Sequence, residues 1–154
     1  MKYQENCIFC KIVKEELPSH KVWEDDSHIA FLSIFPNTEG VTVVIPKEHY
    51  SSYAFDLPDT VLSELILAAK KVVKCLDEKL EDVGRTALVF EGFGVDHVHA
   101  KLFPMHGTKN INDWKPIESS VNKYFDVYEG YISSHDYKRE DDEKLAQVAK
   151  KIRE

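Results

Sequence analysis

Hydrophobic and polar residues alternate most regularly in residues 97–104, whose sequence is HVHAKLFP. Strict alternation is typical of a β-strand, where successive side chains point to opposite faces. The pattern predicts an apolar face and an opposite face that carries His97, His99 and Lys101. A neutral imidazole can act as nucleophile, general base or metal ligand near pH 7. A half-exposed strand with a merely solvated polar face has the same pattern, so this segment alone leaves both interpretations open.

The remaining hydrophobic pattern predicts a mixture of helices and strands. Apolar residues at helical spacing run from Cys7 to Pro18, where the proline ends the helix. A longer apolar stripe predicts a helix that begins with Asp56 as its N-cap and stops at Gly84. A last helix is expected to start near Asp141. Four further β-like runs cover residues 21–24, 28–34, 41–45 and 86–90.

Composition restricts the class of protein. The chain of 154 residues is long enough for one domain with a real hydrophobic core. Its net charge of −7 argues against general affinity for nucleic acid or acidic membranes. The chain contains no apolar run approaching the roughly 18 residues that a membrane span needs, and no signal peptide pattern opens it. We therefore expect a cytoplasmic protein, and its three cysteines do not suggest a disulfide framework.

The order of these motifs resembles the histidine triad (HIT) superfamily over roughly residues 7–106. The resemblance rests on CIFCKI, a hairpin, GVTVVIPKEH, a long helix and HVHAKLFP, in that order. It implies an α+β fold in which an antiparallel sheet of about five strands is covered by one long helix. Residues 1–107 would form this domain, and residues 108–154 would be a C-terminal helical extension packed on it. The resemblance also implies a homodimer that acts on nucleoside phosphates.

The resemblance also implies a mechanism. Superfamily members attack the α-phosphate of a nucleotide with the middle histidine of the triad, here His99, and form a nucleotidyl-histidine intermediate. The third triad position is Lys101 instead of histidine, and a lysine is a standing cation suited to holding a phosphate oxygen. Val41 and Ser33 replace a histidine and a ribose-binding aspartate that many members have. The alternative is therefore a catalytically weak nucleotide-binding or sensor protein of the same fold.

A base-binding pocket is implied by the same resemblance. Its residues come from the first helix and from the hairpin, and each could equally be an ordinary core residue. They are Ile8, Phe9, Ile12, Phe31, Leu32, Ser33 and Ile34.

The pair Cys7-x-x-Cys10 has the spacing of half a zinc site. Structural zinc needs four nitrogen or sulfur ligands. In the zinc-carrying branch of the superfamily the other two come from positions that match His49 and His97, so the resemblance implies a structural zinc ion. A reduced cysteine pair and a redox pair are the alternatives. Zinc would make His97 an orienting residue rather than a reacting one.

Overall fold

Five strands form one antiparallel sheet in a computed structural model that describes residues 2–110, 112, 126 and 137–154. The strands lie in the order β1-β2-β3-β5-β4, so β3 is central, β2 and β5 flank it, and β1 and β4 are the edges. Their bounds are β1 Lys21–Glu24, β2 His28–Leu32, β3 Thr42–Pro46, β4 Val83–Val89 and β5 Ala100–His106. This architecture confirms the predicted α+β class with a five-stranded antiparallel sheet.

Among the described residues, three α-helices accompany the sheet: α1 Ile8–Val13, α2 Asp59–Lys79 and α3 Asp142–Arg153. The N-cap of α1 is Cys7, whose sulfur accepts the backbone N–H of Cys10 at 3.4 Å. The helix ends after Val13 because the chain soon enters the left-handed region at Glu15, with φ 61°. The observed helix is therefore shorter than the one that the apolar spacing predicts between Cys7 and Pro18.

The sheet is covered on both faces. Helix α2 buries its apolar stripe against one face, where Val98, Ala100 and Leu102 point into the main core. On the opposite face Phe9 of α1 packs with Phe31 and residues of β3. All five residues of β3 are buried, as expected for a strand with both faces covered.

Helix α3 packs on the main core through its own apolar stripe. Its N-cap is Asp141, whose carboxylate accepts backbone N–H groups of the first turn, as the sequence predicts. Its buried residues are Leu145, Val148, Ala149 and Ile152. The division of the chain at residue 107 stays a prediction, because residues 113–125 and 127–136 of the extension lie outside the described residues.

Both predicted ends of the long helix are wrong. Asp56 ends a short 3₁₀ turn, Ala54–Asp56, and Pro58 is the N-cap of α2. A proline disfavours helical backbone in the residue before it, so Leu57 is extended and separates the two elements. The helix ends at Lys79 with Leu80 as its C-cap, and Gly84 lies inside β4.

Strand β5 begins later than the alternating pattern of residues 97–104 predicts. Its ladder with β3 starts at Ala100, because Pro46 has no backbone N–H with which to continue the ladder. The backbone N–H of Val98 instead donates to the carbonyl of Tyr50 at 3.0 Å. The alternation of faces nevertheless continues to His97, since Val98 lies in the α2 core and His97 lies beside Phe9. Within the described residues no helix is long and apolar enough to span a membrane.

Candidate active site and metal centre

His99 lies immediately before β5, with 5% of its surface exposed. Its Nδ1 lies 2.7 Å from the backbone carbonyl oxygen of His97. A carbonyl oxygen can only accept, so the assigned tautomer carries its proton on Nδ1 and leaves a lone pair on Nε2. The Phe9 ring meets the imidazole edge to face, with 5.4 Å between ring centroids. One hydrogen bond and one aromatic contact therefore fix the orientation of a ring whose Nε2 is unprotonated.

Both imidazoles of this segment are neutral at pH 7. Burial lowers the pKa of His97 to about 4, and the hydrogen bond to the carbonyl of Pro46 offsets only part of that effect. Burial also lowers the pKa of His99, and the nearby charge of Lys101 lowers it further, against the opposing effect of the His97 carbonyl. A neutral imidazole is the form that can act as a nucleophile or as a metal ligand.

His99 and Lys101 open onto a cavity of about 270 Å³ between α1 and the end of β2. Every residue that the resemblance implies for base binding lines it: Ile8, Phe9, Ile12, Phe31, Leu32, Ser33 and Ile34. Their role in nucleotide binding stays a prediction. Residues that sequence reasoning missed complete the lining: Pro18, Ser19, Phe35, Val43, Phe93, Gly94 and Val95. Val43 had a signal, because it alternates on β3 with residues of the opposite face, and the loop of residues 91–96 had one in its glycines, which let backbone approach a ligand or form a plain hairpin turn.

The cavity is apolar on its walls and positively charged at one end. The rings of Phe9 and Phe31 lie edge to face, 5.5 Å between centroids, and form one wall. Among the described lining residues the only ionisable side chains are His99 and Lys101, and the carboxylate of Glu91, which is outside this lining, also acts on His99. The shape and charge suit a planar apolar group joined to an anion. Val41, which replaces a histidine that many superfamily members have, is buried and is not among the residues that line this cavity.

A cluster of two cysteines and two histidines lies at the start of α1. One of its histidines is His97, whose backbone carbonyl accepts the hydrogen bond from His99. Cys7, Cys10, His49 and His97 are all buried, and one potential ligand atom from each lies within 4.8 Å of the others. The Nδ1 atom of His97 is 3.5 Å from Cys7 Sγ, and the Nδ1 atom of His49 is 3.5 Å from Cys10 Sγ. The structure thus brings together the four residues of the implied zinc site.

These distances fit a tetrahedral zinc ion. Zn–S bonds of about 2.3 Å and Zn–N bonds of about 2.0–2.1 Å place neighbouring sulfur and nitrogen ligands about 3.5–3.6 Å apart. The Nε2 of His97 donates to the Pro46 carbonyl at 2.9 Å, which leaves the Nδ1 lone pair directed at the cysteines. The cluster is therefore a candidate metal centre whose donor set and spacing suit zinc.

The family relationship agrees with this geometry. The HIT domain family matches residues 14–108, which is more than half of the chain. The adenosine 5'-monophosphoramidase of Saccharomyces cerevisiae is 36% identical over 119 residues, which cover 76% of this chain and 75% of that protein. The chain belongs to the HIT family.

Solved structures show the same fold. A HIT-like protein from Bartonella henselae, described as involved in cell-cycle regulation, is 29% identical with a TM-score of 0.69, covering 99% of this chain and 98% of that one. A zinc-bound histidine triad protein from Mycobacterium smegmatis has a TM-score of 0.66 at 20% identity, covering 96% and 91% of the two chains. At that identity the second likeness supports the fold alone.

Proposed function

We propose that this protein is a nucleotide hydrolase or nucleotidyl transferase that acts at the α-phosphate through a nucleotidyl-histidine intermediate on His99. The observation that carries the proposal is the hydrogen bond from Nδ1 of His99 to the His97 carbonyl, which leaves Nε2 as a nucleophile beside Lys101. The fungal relative named as an adenosine 5'-monophosphoramidase supports a phosphoramidate as the substrate class. Adenosine polyphosphates are the other class that the resemblance implies.

The proposed reaction of a phosphoramidate has two displacements at phosphorus. Nε2 of His99 forms a bond to the α-phosphorus while the bond from phosphorus to the leaving amine breaks. Water then displaces the histidine, which regains its Nε2 lone pair. The departing amine takes a proton from solvent in the first displacement, and in the second the attacking water gives its hydroxyl to phosphorus and returns a proton to solvent, so the sum is hydrolysis. Lys101 holds a phosphate oxygen by its charge, and Phe9 with Phe31 packs against the base.

The cysteine and histidine cluster is proposed to hold a structural zinc ion. Cys7, Cys10, His49 and His97 would be its ligands, and zinc when bound supplies a rigid tetrahedral link between them. The ligands come from the start of α1, from the segment after β3 and from the segment before β5, so the link would fix α1 against the segment that carries His99. His97 then positions His99 through its carbonyl and takes no part in the reaction.

We further propose that the protein is a cytoplasmic homodimer.

The experiment compares the wild-type protein with His99→Ala on adenosine 5'-phosphoramidate, with release of AMP followed by chromatography. We expect turnover by the wild type and a loss of about 10⁴-fold or more in the variant, because the nucleophile is gone. His106→Gln is the matched control, since that imidazole lies at the far end of β5. Equal turnover by His99→Ala would show that the proposed nucleophile is wrong.

The second candidate is a nucleotide-binding protein of the same fold with little or no turnover. The observation that favours it is Lys101 at the third triad position, because a lysine exchanges protons poorly near pH 7. This candidate predicts that calorimetry detects AMP binding while no phosphoramidate or adenosine polyphosphate is consumed. Turnover that depends on His99 would remove it.

A further inference from the structure

Two walls of the His99 cavity are tied to the start of the C-terminal helix. Ile34 and Phe35 line the cavity and are partly exposed, at 37% and 38% of their surface. The backbone N–H of Glu140 donates to the Ile34 carbonyl at 2.8 Å, and that of Tyr137 lies 3.4 Å from the Phe35 carbonyl. This wall beyond the end of β2 is therefore held to the segment that leads into α3.

An adjoining part of the cavity wall meets the same helix start. Pro18 and Ser19 line the cavity, and the next residue, His20, has its Nε2 3.0 Å from Oδ1 of Asp142. The carbonyl of His20 also accepts the backbone N–H of Leu32 at 3.0 Å, which joins the two walls to each other. Residues 140–142, which we name the α3 clasp, thus contact two adjoining segments of the cavity lining.

The wall formed by Ile34 and Phe35 has empty space behind it, so its hydrogen bonds to the start of α3 matter for its position. A second cavity of about 210 Å³ lies on the far side of Ser33, and Glu140 and Leu145 are among its described lining residues. A partly exposed wall with room behind it has little packing to fix its position. The bonds to the clasp therefore add to the Ser33 N–H bond to the Val41 carbonyl, at 2.8 Å, in holding the wall beside the base-binding space.

We infer that the α3 clasp is a positioning element of the nucleotide site, so that docking of α3 and binding of a nucleoside monophosphate are thermodynamically coupled. This inference rests on the proposed function, because it concerns the same cavity. The clasp bonds to the segments beside Pro18, Ser19, Ile34 and Phe35, so its loss is expected to act on binding and to leave His99 and Lys101 in place. Because coupling is reciprocal, a nucleotide in the cavity must also stabilise the start of α3.

The experiment measures AMP binding by calorimetry in two matched pairs of variants. Asp142→Ala removes the carboxylate that meets His20, whereas Glu143→Ala removes an equal charge from the same helical turn with no described bond to either wall. Glu140→Pro removes the N–H that holds the Ile34 carbonyl, whereas Glu140→Ala keeps it. We expect the dissociation constant to rise about fivefold or more in Asp142→Ala and Glu140→Pro, and to stay near the wild-type value in both controls.

Two further readouts separate positioning from a general loss of stability. The clasp variants should raise KM for the phosphoramidate with kcat unchanged, and saturating AMP should slow amide hydrogen exchange at residues 142–146 of the wild type only. If the wild type binds AMP and the clasp variants bind it equally well, this inference is overturned while the proposed function stands. If the wild type binds no AMP, the proposed function is wrong, and the coupling inferred from it is wrong as well.

Discussion

The backbone carbonyl of His97 accepts the Nδ1–H of His99 at 2.7 Å, while the His97 side chain points away toward two cysteine sulfurs. His97 therefore belongs to the metal-type cluster through its ring and to the candidate active site through its backbone. Any group that fixes the ring of His97 also fixes the carbonyl that sets the tautomer of His99. The predictions below follow from this connection and from the charges around it.

Purified protein is expected to contain about one zinc ion per chain, measured by plasma mass spectrometry, because the buried donor set has tetrahedral spacing. Cys7→Ser should lose the metal and lower the midpoint of thermal unfolding by about 10 °C, since removing one ligand opens a buried site. Cys75→Ser is the control, because Cys75 lies outside the cluster and should keep both the metal and the midpoint. Wild-type protein that is purified without zinc, and whose midpoint added zinc does not raise, would contradict the zinc assignment.

Lys101→Met should raise KM for a phosphoramidate about tenfold, because the cation that holds the phosphate oxygen is replaced by an apolar chain of similar length. Lys101→Arg keeps the charge and should stay within about threefold of the wild type. The salt dependence of kcat/KM should also weaken in Lys101→Met, since one charge pair is lost. Equal KM values in the two variants would show that the charge of Lys101 does not hold the substrate.

Because Ser33 stands where many members have an aspartate, we expect the protein to discriminate weakly between ribose and 2'-deoxyribose substrates. No described carboxylate lines the cavity, and the Ser33 hydroxyl already accepts the backbone N–H of Phe35 at 3.2 Å. The ratio of kcat/KM for the ribose substrate over its 2'-deoxy analogue should lie within about threefold of one, and Ser33→Asp should raise that ratio about tenfold. Ser33→Ala is the control and should leave the ratio unchanged. A strong ribose preference in the wild type would place the selecting group elsewhere.

His106, which lies away from the candidate active site, should make the stability of the protein depend on pH. Burial of its ring acts to lower the pKa, but the carbonyl of Glu39 and the carboxylate of Asp82 both face ring nitrogens and raise it. A raised pKa in the folded state means that the stabilisation is full below the unfolded value of about 6.5 and is lost as pH rises through the folded value. Chemical denaturation of wild type and His106→Asn should therefore give a difference in unfolding free energy that shrinks from about pH 6 to about pH 8. A difference that grows over this range would contradict the assignment, and in an Asp82→Asn background it should become flatter.

Much of the fold could be predicted because the hydrophobic periods are strong. The buried run of β3 and the helical stripe of α2 each fix an element, whereas the ends of α2 depend on one proline and on packing that periodicity does not record. The cysteine half of the metal-type cluster could be predicted from its spacing, whereas His49 and His97 were accessible only through the resemblance, because they lie far from the cysteines in the chain. The clasp could not be predicted at all, since it depends on backbone bonds between Ile34 and Glu140 that no side-chain pattern encodes.

The most direct test of the account is to trap the covalent intermediate. Wild-type protein is mixed with phosphorus-labelled adenosine 5'-phosphoramidate, quenched in base within the first turnover, and digested for mass spectrometry. The account predicts label on the peptide that contains His99, attached through Nε2, and no label in His99→Ala. AMP release by the wild type with no labelled peptide at any quench time, or with label on another residue, would contradict it.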